Sequence, residues 1–268
     1  MLHRHSEWAP SGVGPRHVEV WCPPSYAADP NLRMPVIYAQ DGQNLFPPGA
    51  ANGWGHWGVA AAMEQVCAAY GIAGAIVVGV WHPPQRWQEY MPARPLLHPA
   101  AHELAERFVA EHGTPVSDQY LRYLVEELKP QVDATYRTLP EREHTFLMGS
   151  SMGGLISFYG LCEYPSVFGG AACLSTHWSA GGAVLVDAMA ALLPPAGAHR
   201  LYFDYGSLGL DAAYELLQQR MDAHLHAAGY QPGHDWLSLS FVGADHNEAA
   251  WRARLHEPLA FLLTHGSA

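Results

Sequence analysis

The chain has 268 residues, of which 49% are apolar and only 15% charged, with a formal net charge of −11. That length can bury a large core, and no composition shift or Pro/Gly/Ser linker divides it, so one domain over 1–268 is expected. The acidic balance argues against nucleic acid and anionic membranes as partners, since both need a basic patch.

The elements alternate along the chain. His3 to Trp8 can pair with Val18–Cys22 as an antiparallel edge hairpin, which Pro23-Pro24 stop. Pro35–Ala39 reads as a strand ending at Asp41-Gly42-Gln43-Asn44. Gly58 to Ala69 carries Val59, Met63 and Val66 at helical spacing, and Ala75–Val80 is a continuous apolar run of the kind central parallel strands show. The segment 92–115 breaks the pattern. Its core, His102–His112, reads as a short amphipathic helix, either a small cap over the site or surface decoration. Ser117 can cap a helix through Leu121, Leu124, Val125 and Leu128, with Pro130 as a late kink. A strand before Gly149 and a helix to about Glu163 follow, then strands in Phe168–Leu174 and Arg200–Asp204. A helix from Asp211 to His226 closes at Gly229. Trp236–Val242 is the last strand and Asn247–Leu263 the final amphipathic helix. This order predicts an α/β class: a mostly parallel sheet with helices on both faces, binding its ligand at the carboxyl ends of the strands.

There is no run of about 18 apolar residues, so no transmembrane helix is expected. Met1 to Trp8 has no apolar stretch like that of a secretory signal. Cys22, Cys67, Cys162 and Cys173 are too scattered for a zinc site or a disulfide framework. A cytoplasmic protein with buried reduced thiols is the expectation. His3/His5 and His98/His102 lack a metalloprotease-like spacing and a third ligand, so they are read as solvent-exposed and no metal is expected.

The chemistry centres on Gly149-Ser150-Ser151-Met152-Gly153, a Gly-x-Ser-x-Gly between an apolar strand and a helix. That is the sequence form of a nucleophile elbow, with Ser151 as nucleophile. A serine hydroxyl needs a base, and the base needs an orienting acid. Among 17 histidines, position selects His246, between the last strand and the last helix. His224 and His226 lie on an earlier helix, and His256 and His265 fall within or after the final one. For the acid, Asp211 is favoured over Asp204, because Asp204 is still within its strand; Asp245 is a third choice. Asp211 could instead cap the following helix. The oxyanion would be held by the N–H of Met152 and by an N–H after the second strand, for which Gln43 is chosen. Trp81, His82, His177, Trp178 and Trp54 follow strands or the oxyanion loop and are candidates to line a substrate pocket. Arg86 and Glu89 are read as a loop salt bridge.

These motifs resemble a family. Tyr38-Ala-Gln-Asp-Gly-Gln-Asn-Leu-Phe46, Val77–Val80 with Arg86 and Glu89-Tyr90, Glu127–Pro130 with Tyr136-Arg137, Met148–Leu155 and Asp245–Trp251 look like the putative esterase family of α/β-hydrolases. That group includes esterase D, enterochelin esterases and feruloyl esterase domains; mycolyltransferases are related. The resemblance runs from about Arg16 to Leu263 and implies a three-layer α/β-hydrolase fold with metal-free serine chemistry. It carries over Ser151 and His246. Gly206-Ser-Leu-Gly-Leu-Asp211 is longer than the family's usual acid motif. The expected activity is hydrolysis of a small carboxylic ester through an acyl-enzyme, with no cofactor. Acyl transfer to an alcohol or sugar by the same triad is the alternative, and a non-catalytic binding module the third reading.

Overall fold

The structure, a computed structural model, describes residues 1–6, 8, 16–48 and 55–264. In chain order its elements begin β1 (Leu2–His5), β2 (Val18–Trp21), α1 (Pro24–Ala28), β3 (Val36–Gln40), α2 (Val59–Tyr70), β4 (Ile76–Val80) and α3 (Arg86–Tyr90). They continue with α4 (His102–His112), α5 (Ser117–Tyr123), α6 (Lys129–Thr135), β5 (Thr145–Ser150), α7 (Met152–Glu163) and β6 (Gly170–Leu174). The last are α8 (Gly182–Ala190), β7 (Arg200–Gly206), α9 (Glu215–Ala227), β8 (Trp236–Phe241), α10 (Glu248–Arg254) and α11 (His256–Thr264).

Among the described residues, eight strands form one sheet in the order β1-β2-β4-β3-β5-β6-β7-β8. Strands β4 to β8 with β3 pair in parallel, while β1–β2 and β2–β4 are antiparallel. The expected edge hairpin is therefore present, with Leu2 opposite Trp21. Side chains alternate across the sheet and build two cores, as strand periodicity requires. Val36 and Tyr38 of β3 join one cluster with Leu121, Leu155, Val186 and Met221 from α5, α7, α8 and α9. Ile37 and Ala39 join the other, with Val59, Met63, Leu259 and Leu262 from α2 and α11. The result is the three-layer α/β-hydrolase-type fold. The four cysteines are free thiols, and only Cys67 is partly exposed.

Several local expectations need correction. The last helix is two, α10 and α11, divided at Leu255. Pro258 is the reason: in one continuous helix it would remove a mid-helix N–H, but near the start of α11 that N–H has no partner to lose. Pro130 sits at the start of α6, directly after a π-helical turn at Leu124–Leu128. Ser117 does not cap α5; its hydroxyl accepts the Ala93 N–H at 3.0 Å. Asp211 lies in a 3-10 turn, Gly209–Ala213, ahead of α9 rather than at its cap. His3 and His5 are half-buried, each hydrogen-bonded to the Tyr136 hydroxyl at 2.9 and 3.0 Å.

Candidate active site

The parallel strands end on one edge of the sheet, and the site is assembled from the loops there. Ser151 joins β5 to α7 with φ 56° and ψ −125°, a conformation that strains a non-glycine residue by about 1–3 kcal/mol. The surrounding glycines permit it. A Cβ on Gly149 would lie 2.3 Å from the Gly153 carbonyl oxygen, so the strand and the helix could not approach so closely. The turn is held by Ser151 N–H to Leu174 O (2.9 Å) and by His177 N–H to Ser151 O (3.2 Å).

His246 follows β8. Its Nδ1 is 2.5 Å from Asp211 Oδ1, which leaves Nε2 as the ring nitrogen free for other work. The ring packs edge-on against Trp251 at 5.1 Å and Tyr214 at 5.7 Å. Asp211 is 1% exposed, and its Oδ2 accepts the Ser175 hydroxyl and the Gly206 N–H, both at 2.6 Å. Burial alone would raise its carboxyl, but hydrogen bonds from His246, Ser175 and Gly206 outweigh that and hold it below its ordinary value. Asp204, within β7, is engaged elsewhere: it accepts the Ser175 N–H (3.0 Å), the Tyr202 hydroxyl (3.0 Å) and Arg254 Nη2 (2.8 Å). Asp245 accepts the His246 backbone N–H at 2.7 Å.

A family model described as Putative esterase matches residues 13–262. The chain belongs to that family. An uncharacterized protein, YbbA of Bacillus subtilis (strain 168), is 27% identical over 196 residues, covering 73% of this chain and 69% of its own length. Two solved structures share the fold. An IroE-like serine hydrolase from Shewanella oneidensis has a TM-score of 0.68 and 17% identity, covering 97% of this chain and 77% of that one. A ferulic acid esterase has a TM-score of 0.66 and 16% identity over 98% of this chain and 96% of that one.

Within this esterase-family chain, Met152 opens α7, so its N–H is one of the unpaired donors of a helix start. Asp41, left-handed at φ 55° and ψ 48°, turns the chain into the 3-10 turn Gly42–Asn44. The first bonds of that turn are Asn44 N–H to Asp41 O (2.9 Å) and Leu45 N–H to Gly42 O (3.2 Å). The N–H groups of Gly42 and Gln43 come before them, as open donors at a helix start do. The loop packs against the elbow: a Cβ on Gly153 would lie 3.0 Å from Asp41 Oδ2.

Arg86 does not pair with Glu89. Its Nε and Nη2 grip both oxygens of Asp41 at 2.7 Å, while Glu89 is buried against Arg16 at 2.6 and 2.8 Å. The i,i+3 spacing on α3 would let the two meet, but the Arg86 fork fits the Asp41 carboxylate bidentately and Glu89 takes both arms of the buried Arg16 instead.

The pocket candidates separate. His177 Nδ1 is 2.5 Å from the Tyr214 hydroxyl, and burial, with help from His246 and Arg86, pushes the imidazole down to about 4. Burial pushes the Tyr214 phenol up, against the nearby Ser179 and Ser151 hydroxyls. A cavity of about 340 Å³ lies beside His177, lined by Trp87, Met91, Phe108 and His112, so α4 forms one wall of it. Trp87 and His112 stack with ring centroids 4.5 Å apart. Trp178 does not reach it: the indole is fully buried between Phe158 and Phe203 and donates to Gln218 at 2.8 Å. Trp81 lines a second cavity of about 350 Å³ with Gln43, Phe46 and His17. His82 lies 4.0 Å from Asp41 and bonds the Pro83 carbonyl at 2.8 Å. Trp54 lies outside the described residues.

Sequence reasoning passed over Tyr214, Ser175, Arg254 and Asp41. Tyr214 had a signal, since it lies three residues after Asp211. Ser175 and Arg254 had none, because their partners come from other strands and helices.

Proposed function

We propose that this protein is a serine-dependent carboxylic-ester hydrolase working through an acyl-enzyme. The observation that carries the reading is the 2.5 Å contact between Asp211 and His246 on the sheet edge that holds Ser151. Family membership and the resemblance in fold to a serine hydrolase and a ferulic acid esterase support ester hydrolysis.

In this mechanism Asp211 holds the Nδ1–H tautomer of His246, so that Nε2 carries the lone pair. Nε2 takes the Ser151 proton as Oγ attacks the ester carbonyl. The Met152 and Gln43 N–H groups receive the oxyanion. The imidazolium then protonates the leaving alkoxide, which departs as the alcohol. Water enters by the same base, the acyl–Oγ bond breaks, and the acid is released. The cavity walled by α4 would receive part of the substrate, with segment 92–115 as a small cap on a single domain.

The test is turnover of p-nitrophenyl esters together with fluorophosphonate labelling. Ser151→Ala should lose at least about 10³-fold in turnover and all labelling. Full turnover in that variant would refute the proposal.

A further inference from the structure

Behind the Asp211–His246 pair lies a buried ion network that the mechanism above leaves unused. Arg254 of α10 is 2% exposed. Its Nη2 donates to Asp204 Oδ1 and to Ser175 Oγ, each at 2.8 Å, and lies 3.8 Å from Asp211 Oδ2. Its Nε and Nη1 find no partner among the described residues, and the guanidinium lies 5.0 Å over the Phe241 ring. Burying a cation with donors idle is costly, and an apolar side chain would pack α10 against the sheet without that cost.

Ser175 is the joint of the network. At φ 43° its N–H serves Asp204, while its hydroxyl donates to Asp211 and accepts from Arg254 and Trp251 Nε1 (3.0 Å). Asp204 is 1% exposed, and burial pushes its carboxyl up against the pull of Arg254, the Ser175 N–H and the Tyr202 hydroxyl; those three groups all donate to it, which suits an ionised carboxylate. Two buried carboxylates and one guanidinium sum to −1. The charge that would neutralise them is the one His246 gains on taking the Ser151 proton.

We propose that Arg254 is a positioning residue that sets this cluster at one net negative charge, so that it becomes neutral when His246 is protonated. The proposal rests on the reading of His246 as the base. Without Arg254 the cluster would carry −2 and favour the imidazolium more strongly. Without the Asp204 charge it would carry none and disfavour the imidazolium. Among the described residues, the other titratable groups facing His246 are Asp245, which accepts its backbone N–H, and Tyr214 and His177, whose rings lie 5.7 and 6.5 Å from its own. Glu248 of α10 accepts Asn44 Nδ2 at 3.1 Å, on the side of Arg86. None of them is altered in the variants below.

The experiment is a charge cycle on the full chain: Arg254→Gln, Asp204→Asn and the double variant. Two readouts report on His246. One is the acid limb of kcat/KM for a neutral p-nitrophenyl ester. The other is an NMR titration of the imidazole, assigned as the resonance missing from His246→Gln. Arg254→Gln should raise both pKa values by about one unit, and Asp204→Asn should lower them by about as much. The double variant should return to within about 0.3 unit of the parent. A purely structural role would not reverse sign, so shifts in one direction, or none, overturn the proposal. If Arg254→Gln does not fold, Asp204→Asn decides alone: an unchanged or raised value refutes it. Unmoved values in a protein that Ser151→Ala inactivates sink the role of Arg254 and leave the hydrolase reading standing. Opposed NMR shifts in a protein that turns over no ester do the reverse.

Discussion

Replacing Asp211 by asparagine removes one charge and almost no volume, and the structure dictates how the new side chain must sit. Two donors converge on Asp211 Oδ2, the Ser175 hydroxyl and the Gly206 N–H, both at 2.6 Å. The Ser175 hydroxyl already accepts from Trp251 Nε1 and Arg254 Nη2, so its single proton must stay on residue 211. The asparagine therefore keeps its carbonyl oxygen on that side and turns its NH2 group toward His246 Nδ1. Nδ1 must then accept, the ring proton moves to Nε2, and the imidazole presents a proton to Ser151 instead of a lone pair. A wrong-tautomer base in a serine triad lowers turnover by about 10⁴-fold, which is about 5 kcal/mol of barrier. The assay is steady-state hydrolysis of a p-nitrophenyl ester, with far-UV circular dichroism and thermal unfolding to show an intact fold. A folded Asp211→Asn that loses less than about tenfold would refute the assignment of Asp211 as the orienting acid.

Three further outcomes are expected. Gly149→Ala should destabilise by about 3 kcal/mol, because its Cβ would sit 2.3 Å from the Gly153 carbonyl oxygen and both neighbours are backbone; denaturant unfolding measures it, and a neutral result would contradict the packing of the elbow. Arg86→Gln should cost about 3 kcal/mol by leaving the Asp41 carboxylate, 5% exposed, without its bidentate partner, and should lower kcat as the loop proposed to hold the oxyanion loosens; unchanged stability and kcat would remove Arg86 from that role. His177, pushed down to about 4 by burial, is neutral in the folded chain but protonates in the unfolded one below about 6.5. The unfolded state then binds more protons between those values, so stability should fall by up to about 3 kcal/mol as pH drops from 6.5 toward 4. His177→Gln should flatten that slope in urea unfolding at a series of pH values, and an equal slope in both proteins would contradict it.

What the sequence reveals follows from how locally each feature is determined. The strand–glycine–serine–glycine–helix run around Ser151 lies within a dozen residues, and its strained turn is set by the sterics of those residues alone. His246 is legible for a similar reason: it follows the last strand, and the alternation of strands tells which edge that is. The His102–His112 helix is legible because its apolar stripe is contained in eleven residues. Asp211 is harder, since Asp204 lies on the same strand–loop unit and only contacts from a distant helix and loop separate them. One is taken by Arg254 and the other by His246. Nearness along the chain misleads where ion pairs are concerned. Arg86 passes over Glu89, three residues on, for Asp41, 45 residues back, because parallel β3 and β4 end side by side and bring their loops together. Trp178 misleads in the same way. Its place after a strand says that it lies near the site edge, but the side of the loop its indole takes is decided by Phe158 and Phe203, from α7 and β7. The residues that would run the chemistry are written in local pattern; Asp204 and Arg254, which would set its charge, and Ser175, which joins them to Asp211, come from one strand, one helix and one loop that meet only in the fold. The sign reversal expected between Arg254→Gln and Asp204→Asn therefore tests a property of the fold that inspection of Ser151, His246 and Asp211 alone could not anticipate.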